Sequence, residues 1–166
     1  MSRFLLDTDI LSIFAKAGAL PLLCDFFQCQ RLPMTSGVFD ELLIPLEYGY
    51  DFPQRILDLA EVVTMTPEEA QDYEALRLQG KLSAADAELI AICGRRGWAY
   101  VAMDRVALRC AEQHGVRTID LQALLKAMLE AKLLDRQGLQ ALIERMERED
   151  HTTLPYKESL LETEGS

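Results

Sequence analysis

Apolar residues in this chain come in short runs, and the residues that break the runs say most about the fold. Arg3-Phe-Leu-Leu6 has the length of a strand and ends at Asp7-Thr8-Asp9, residues that favour helix N-caps. Ile10, Leu11, Phe14 and Ala15 then follow at helical spacing. Residues 20–27 form a second apolar stretch with Pro21 at what would be a first helical position, and residues 31–35 predict a short strand after it. Ser36 caps a predicted helix over residues 38–44, with Pro45 and Gly49 breaking the pattern behind it. Helices are predicted over residues 54–60 and 67–78, with a strand at 62–66 between them. Residues 84–93 read as a heavily buried helix stopped by Gly94 and Gly97, and residues 98–103 as a strand covered on both faces. A helix over 106–114 and a strand over 116–119 come next. Two amphipathic stripes close the pattern, one through Leu121, Leu124, Leu125, Met128 and Leu129, the other through Leu139, Leu142, Ile143 and Met146.

Strands alternating with helices predict an α/β fold with a central, mostly parallel sheet covered by helices, and the two final stripes predict a C-terminal helical hairpin. The expected organisation is a core domain over residues 1–125, a helical extension over 126–150 packed on it, and an acidic, flexible tail over 151–166. In such sheets, functional groups gather beyond the carboxyl ends of the strands, where Asp7 and Asp104 both fall.

Composition narrows the function classes. With 49% hydrophobic and 27% charged residues among 166, the chain has the make-up of a soluble globular protein. No apolar run reaches the eighteen or so residues that cross a bilayer, and Asp7 and Asp9 interrupt the apolar continuity a signal peptide would need, so a cytoplasmic protein with no membrane partner is expected. Four cysteines without C-x-x-C spacing and only two histidines argue against zinc. The net charge of -10 argues against a simple basic surface for nucleic acid, although residues 138–166 carry seven acids against three bases and so account for four of those ten charges.

Taken singly, the candidate acids have ordinary explanations. Asp7 and Asp104 each follow an apolar run and can cap the next helix, Asp86 fits the capping pattern opened by Ser83, and Glu41 can face water. Together they are harder to dismiss, because carboxylates drawn to one strand edge repel one another unless a cation intervenes. Oxygen-only ligands favour Mg²⁺ or Mn²⁺ as that cation.

The opening FLLDTDIL, the helix VFDELL, the segment LSAADAELIA and the run AYVAMDRVAL followed by GVRTIDL resemble, in order, the successive motifs of the PIN-domain ribonucleases. The resemblance covers about residues 4–125 and implies a three-layer α/β/α sandwich. It also implies that Asp7, Glu41, Asp86 and Asp104 are the metal-holding and catalytic quartet. The implied activity is Mg²⁺- or Mn²⁺-dependent hydrolysis of RNA phosphodiester bonds, leaving 5′-phosphate and 3′-hydroxyl ends. The C-terminal hairpin is similar to that of a VapC-like subgroup, and the family resemblance implies the toxin of a toxin-antitoxin pair with an antitoxin protein as partner; the hairpin's apolar stripes suit either a homodimer contact or packing on their own sheet. Two positions depart from the family pattern. Asp9 stands where Ser, Thr or Asn is usual, and Ala102 and Met103 stand where a hydroxyl residue often precedes the last aspartate. Lys16, Arg77, Lys81, Arg95, Arg96, Arg105 and Arg109 lie near the expected site elements, with solvated helix ends as their ordinary reading. Two rival readings accompany this one: a catalytically weak PIN-like module that binds RNA or a protein, and a phosphatase, since Asp7-Thr8-Asp9 after a strand resembles the haloacid-dehalogenase motif.

Overall fold

The computed structural model describes residues 3–162. Three parallel strands, β1 (Phe4–Leu6), β4 (Ala99–Val101) and β5 (Thr118–Ile119), form one ladder in the order β1-β4-β5, while β2 (Leu32–Met34) and β3 (Ala60–Val62) form a parallel pair. β2 runs beside β1, so the strands lie in the spatial order β3, β2, β1, β4, β5. Helices on both sides of the strands complete the three-layer α/β/α sandwich, with α1 (Thr8–Lys16), α2 (Leu20–Phe27), α3 (Ser36–Glu47), α4 (Phe52–Leu57), α5 (Pro67–Leu78), α6 (Ala84–Arg96) and α7 (Arg105–Gln113).

The strand order reverses between β1 and β4, because the chain leaving β1 proceeds toward β2 and the chain leaving β4 proceeds toward β5. Parallel sheets open a crevice at such a point, beyond the carboxyl ends of the two strands. Asp7 is the first residue past β1, and Asp104 lies three residues past β4. Both strands are buried throughout, as their unbroken apolar sequences require of strands covered on two faces.

α6 is longer than the sequence pattern predicts. It passes through Gly94 and ends only at Gly97, whose φ of 68° is a left-handed conformation that a glycine enters at little cost. Gly94 therefore sits within the helix, where an added Cβ would make only an ordinary contact, 3.6 Å from Val116 Cγ2. α3 likewise continues through Pro45 to Glu47. The helix predicted over 54–60 is instead α4, over Phe52–Leu57, and the strand predicted at 62–66 lies at Ala60–Val62. Pairing decides that shift, since Leu32 donates to the Leu59 carbonyl and Val63 donates to that of Met34, fixing the ladder to residues 59–63.

Close approach fixes α3 against α6. A Cβ at Gly37 would lie 2.7 Å from the Ala85 Cα, so only glycine fits. Buried Glu88 seals the same crossing by accepting from the Gly37 amide and the Ser36 hydroxyl, both at 2.9 Å.

Beyond β5, α8 (Leu121–Glu130) and α9 (Arg136–Glu149) pack on each other, and α9 also packs on α1. Lys16 pairs with Asp150 at 2.8 Å, and Arg145 donates to the Ala17 carbonyl. Within the segment read as an acidic tail, Leu154 and Leu160 are buried and α10 (Lys157–Glu162) packs on α8 and α9. Residues 163–166 of that segment lie outside the described residues. No helix among the described residues is long and apolar enough to cross a membrane.

Candidate functional site

Asp7 is only 4% exposed, although it carries a carboxylate. Its backbone amide donates to the Val101 carbonyl at 2.9 Å, which ties it to β4. Its Oδ1 accepts from the Ile10 amide at 2.8 Å and caps α1, while Oδ2 accepts from the Met103 amide at 3.1 Å. Those two amides favour the ionised form, but burial without a paired cation outweighs them, and repulsion from Asp9 and Asp86 adds to it. The carboxyl is pushed up to about 8.

Asp104 caps α7 through Oδ1 alone, accepting from Val106 at 2.8 Å and Ala107 at 3.1 Å. Its Oδ2 has no protein donor among the described residues. Asp86, in the first turn of α6, is half-buried and held from two directions. Ser83, the N-cap of that helix, donates its hydroxyl to Oδ2 at 3.0 Å, and Tyr100 on β4 donates to Oδ1 at 2.9 Å. Glu41 sits midway along α3. Its carboxyl is raised by burial first, then by Asp86 and Asp9, against a tempering effect of the nearby Thr8 hydroxyl. That hydroxyl is buried without a well-formed hydrogen bond.

Electrostatics gathers these groups into one neighbourhood. Asp86 acts on both Asp7 and Glu41, and Asp7, Asp86 and Asp104 all disfavour ionisation of Tyr100, whose phenol is driven upward chiefly by burial. As placed, the side chains do not close a cage: among the described residues, no three His, Cys, Asp or Glu groups stand together as ligands for a metal. The donor set nonetheless suits a hard dication. It consists of oxygens, and burial first, then repulsion among the neighbouring acids, raises Asp7, Asp9 and Glu41 together.

Sequence reasoning missed several contributors. Asp9 is a further acid of the site. Loss of hydration raises it first, then Asp86, Asp150 and Asp104, with Lys16 pulling the other way. The D-x-D spacing was the available signal. Tyr100 was signalled only as the one phenol in an otherwise aliphatic strand, and the Met103 amide by nothing, since any residue at that position supplies one.

The cations divide. Arg95 and Arg96 pair with Asp72 and Glu69 on α5, Arg105 with Asp120, and Lys16 with Asp150, while Arg77 donates to the Leu82 carbonyl. Lys81 and Arg109 are exposed and have no carboxylate partner among the described residues. Lys81 acts on Cys110, so it lies toward α7, the helix that also carries Arg109.

A family model described as a PIN domain matches residues 3–156. Comparison with curated proteins returns no match.

Proposed function

The chain belongs to the PIN-domain family, whose members are in general nucleases, and we propose that it is a ribonuclease that uses Mg²⁺ or Mn²⁺. Asp7, Glu41, Asp86 and Asp104 would hold the metal, with Asp9 as an additional carboxylate. The observation that carries this reading is Asp7, a buried acid lifted to about 8 and set at the reversal of strand order without a cation of its own. The chemistry a divalent ion would supply there, if bound, is the missing positive charge and a lowered pKa of water at neutral pH.

The protein's own residues do the positioning. The Ile10 and Met103 amides fix the two oxygens of Asp7, and the Val106 and Ala107 amides fix one oxygen of Asp104 and leave the other open. Lys81 and Arg109 are offered to phosphates of the substrate backbone, which reconciles nucleic-acid binding with a net charge of -10. As a VapC-like toxin, the reading the motif order and hairpin support, the protein would work in the cytoplasm against cellular RNA, restrained by an antitoxin and assembled as a homodimer. The domain proposal that accompanies it places the nuclease in residues 1–125 and a packed helical extension in 126–150.

Cleavage of single-stranded RNA by the purified protein is expected only with Mg²⁺ or Mn²⁺ present. Asp7→Ala and Asp104→Asn should each lower the rate by about 100-fold or more, above the loss usual for groups that merely orient ligands. Cleavage at the parent rate by either variant would overturn the proposal. One observation favours a second reading, that of an interaction module with little turnover: Ile44, Tyr48 and Tyr50 expose an apolar strip at the end of α3. Tight Mn²⁺ binding without cleavage of any RNA would support it.

A further inference from the structure

Tyr100 is a fully buried residue whose hydroxyl reaches out of the core to one acceptor, Asp86 Oδ1, at 2.9 Å. A phenylalanine would fill the core equally well, because the ring packs and only the oxygen needs a partner.

We infer that Tyr100 is a positioning residue for metal binding, holding the Asp86 carboxylate from β4 while Ser83 holds it from its own helix. The inference rests on the proposal that Asp86 is a metal ligand. Each carboxylate oxygen has two lone pairs, so one donor on Oδ1 and one on Oδ2 leave each oxygen a lone pair for an ion. The two donors come from different elements. Ser83 sets the carboxylate relative to α6, whereas Tyr100 sets it relative to the strand that leads to Asp104. Without the phenol, Asp86 would keep its place on the helix but lose its register with Asp104. Partners of this kind orient ligands, and their removal commonly weakens metal binding by about 10- to 100-fold.

Titration of the metal-stripped protein with MnCl₂, followed by calorimetry, tests this directly and needs no substrate. Tyr100→Phe should weaken Mn²⁺ binding by about 10-fold or more. Ile92→Val, a buried deletion nearly two turns along α6 from Asp86, should leave Mn²⁺ affinity within about twofold while lowering the melting temperature at least as much as Tyr100→Phe does. Equal Mn²⁺ affinity in Tyr100→Phe and the parent protein would overturn the inference and leave the metal-site proposal standing. An equal loss of affinity in both variants would also overturn it, since loosened packing would then be the cause. A parent protein that binds no Mn²⁺ would overturn the metal-site proposal itself, and this inference with it.

Discussion

Two buried carboxylates, Asp7 and Glu69, are treated in opposite ways. Glu69 is 1% exposed and serves the N-terminus of α5, where it forms a capping box with Thr66. Burial alone would raise it, but Arg96 donates to it twice, at 2.7 and 2.8 Å, and the Thr66 amide once, so its carboxyl lies below the usual range. Asp7 has backbone amides but no cation, and lies far above the range. The α5–α6 end of the molecule closes its electrostatics internally, whereas the carboxyl edge of the sheet leaves a deficit for something outside the chain to fill. A buried acid by itself therefore says little; Glu69 has its counter-charge within the protein, and Asp7 does not.

The pH dependence of stability exposes the contrast most strongly. Asp7 has a raised carboxyl, so above the ordinary aspartate range the unfolded chain releases a proton that the folded one retains. Its contribution is complete below about pH 4 and is lost as pH rises toward 8. Urea denaturation of the metal-stripped protein should show stability falling over that interval, by at most about 1.4 kcal/mol per pH unit for one proton. Saturating Mg²⁺ should flatten the fall, and Asp7→Asn should reduce it. Glu69 has the reverse sign, its contribution being present above the ordinary glutamate range and lost as the solution becomes acidic. A metal-stripped profile identical in the parent and Asp7→Asn would erase the contrast.

Arg96→Met breaks the closed end. It should cost about 2–3 kcal/mol in denaturation, less than for a fully buried pair because the Arg96 side chain is 27% exposed, and it should leave Mn²⁺ affinity unchanged. The smallest and most discriminating effect compares two helix caps. Thr66→Ala and Ser83→Ala should each lower stability by about 1 kcal/mol, the ordinary cost of a lost N-cap. Only Ser83→Ala should also weaken Mn²⁺ binding, because only Ser83 donates to a carboxylate at the open edge.

Local signals carried most of the fold. Thr66 before Pro67 and Glu69 marks α5 to the residue, and the aspartates at positions 7, 104, 120 and 135 each cap the helix that follows. Position within a ladder is not local, so β3 lay two residues earlier than its apolar pattern predicts, and α6 ran through Gly94 to end only at the left-handed Gly97. The same distinction governs the site. Each acid could be named because strand ends and helix starts are visible in sequence, but the partners that fix Asp7 and Asp86, the Met103 amide and the Tyr100 phenol, lie 96 and 14 residues away along the chain. That Arg95 and Arg96 belong to the opposite end, committed to Asp72 and Glu69, likewise required the packing of α5 on α6.

α6 carries Asp86 near its start and Arg96 at its finish, ten positions apart. At 1.5 Å per residue the helix sets them about 15 Å apart. Mobile ions in the cell damp the Coulomb force over roughly 8 Å, so each terminus is electrically deaf to the other. Selection can thus retune one extremity of this rod, altering ion preference or thermal endurance, without disturbing its far tip.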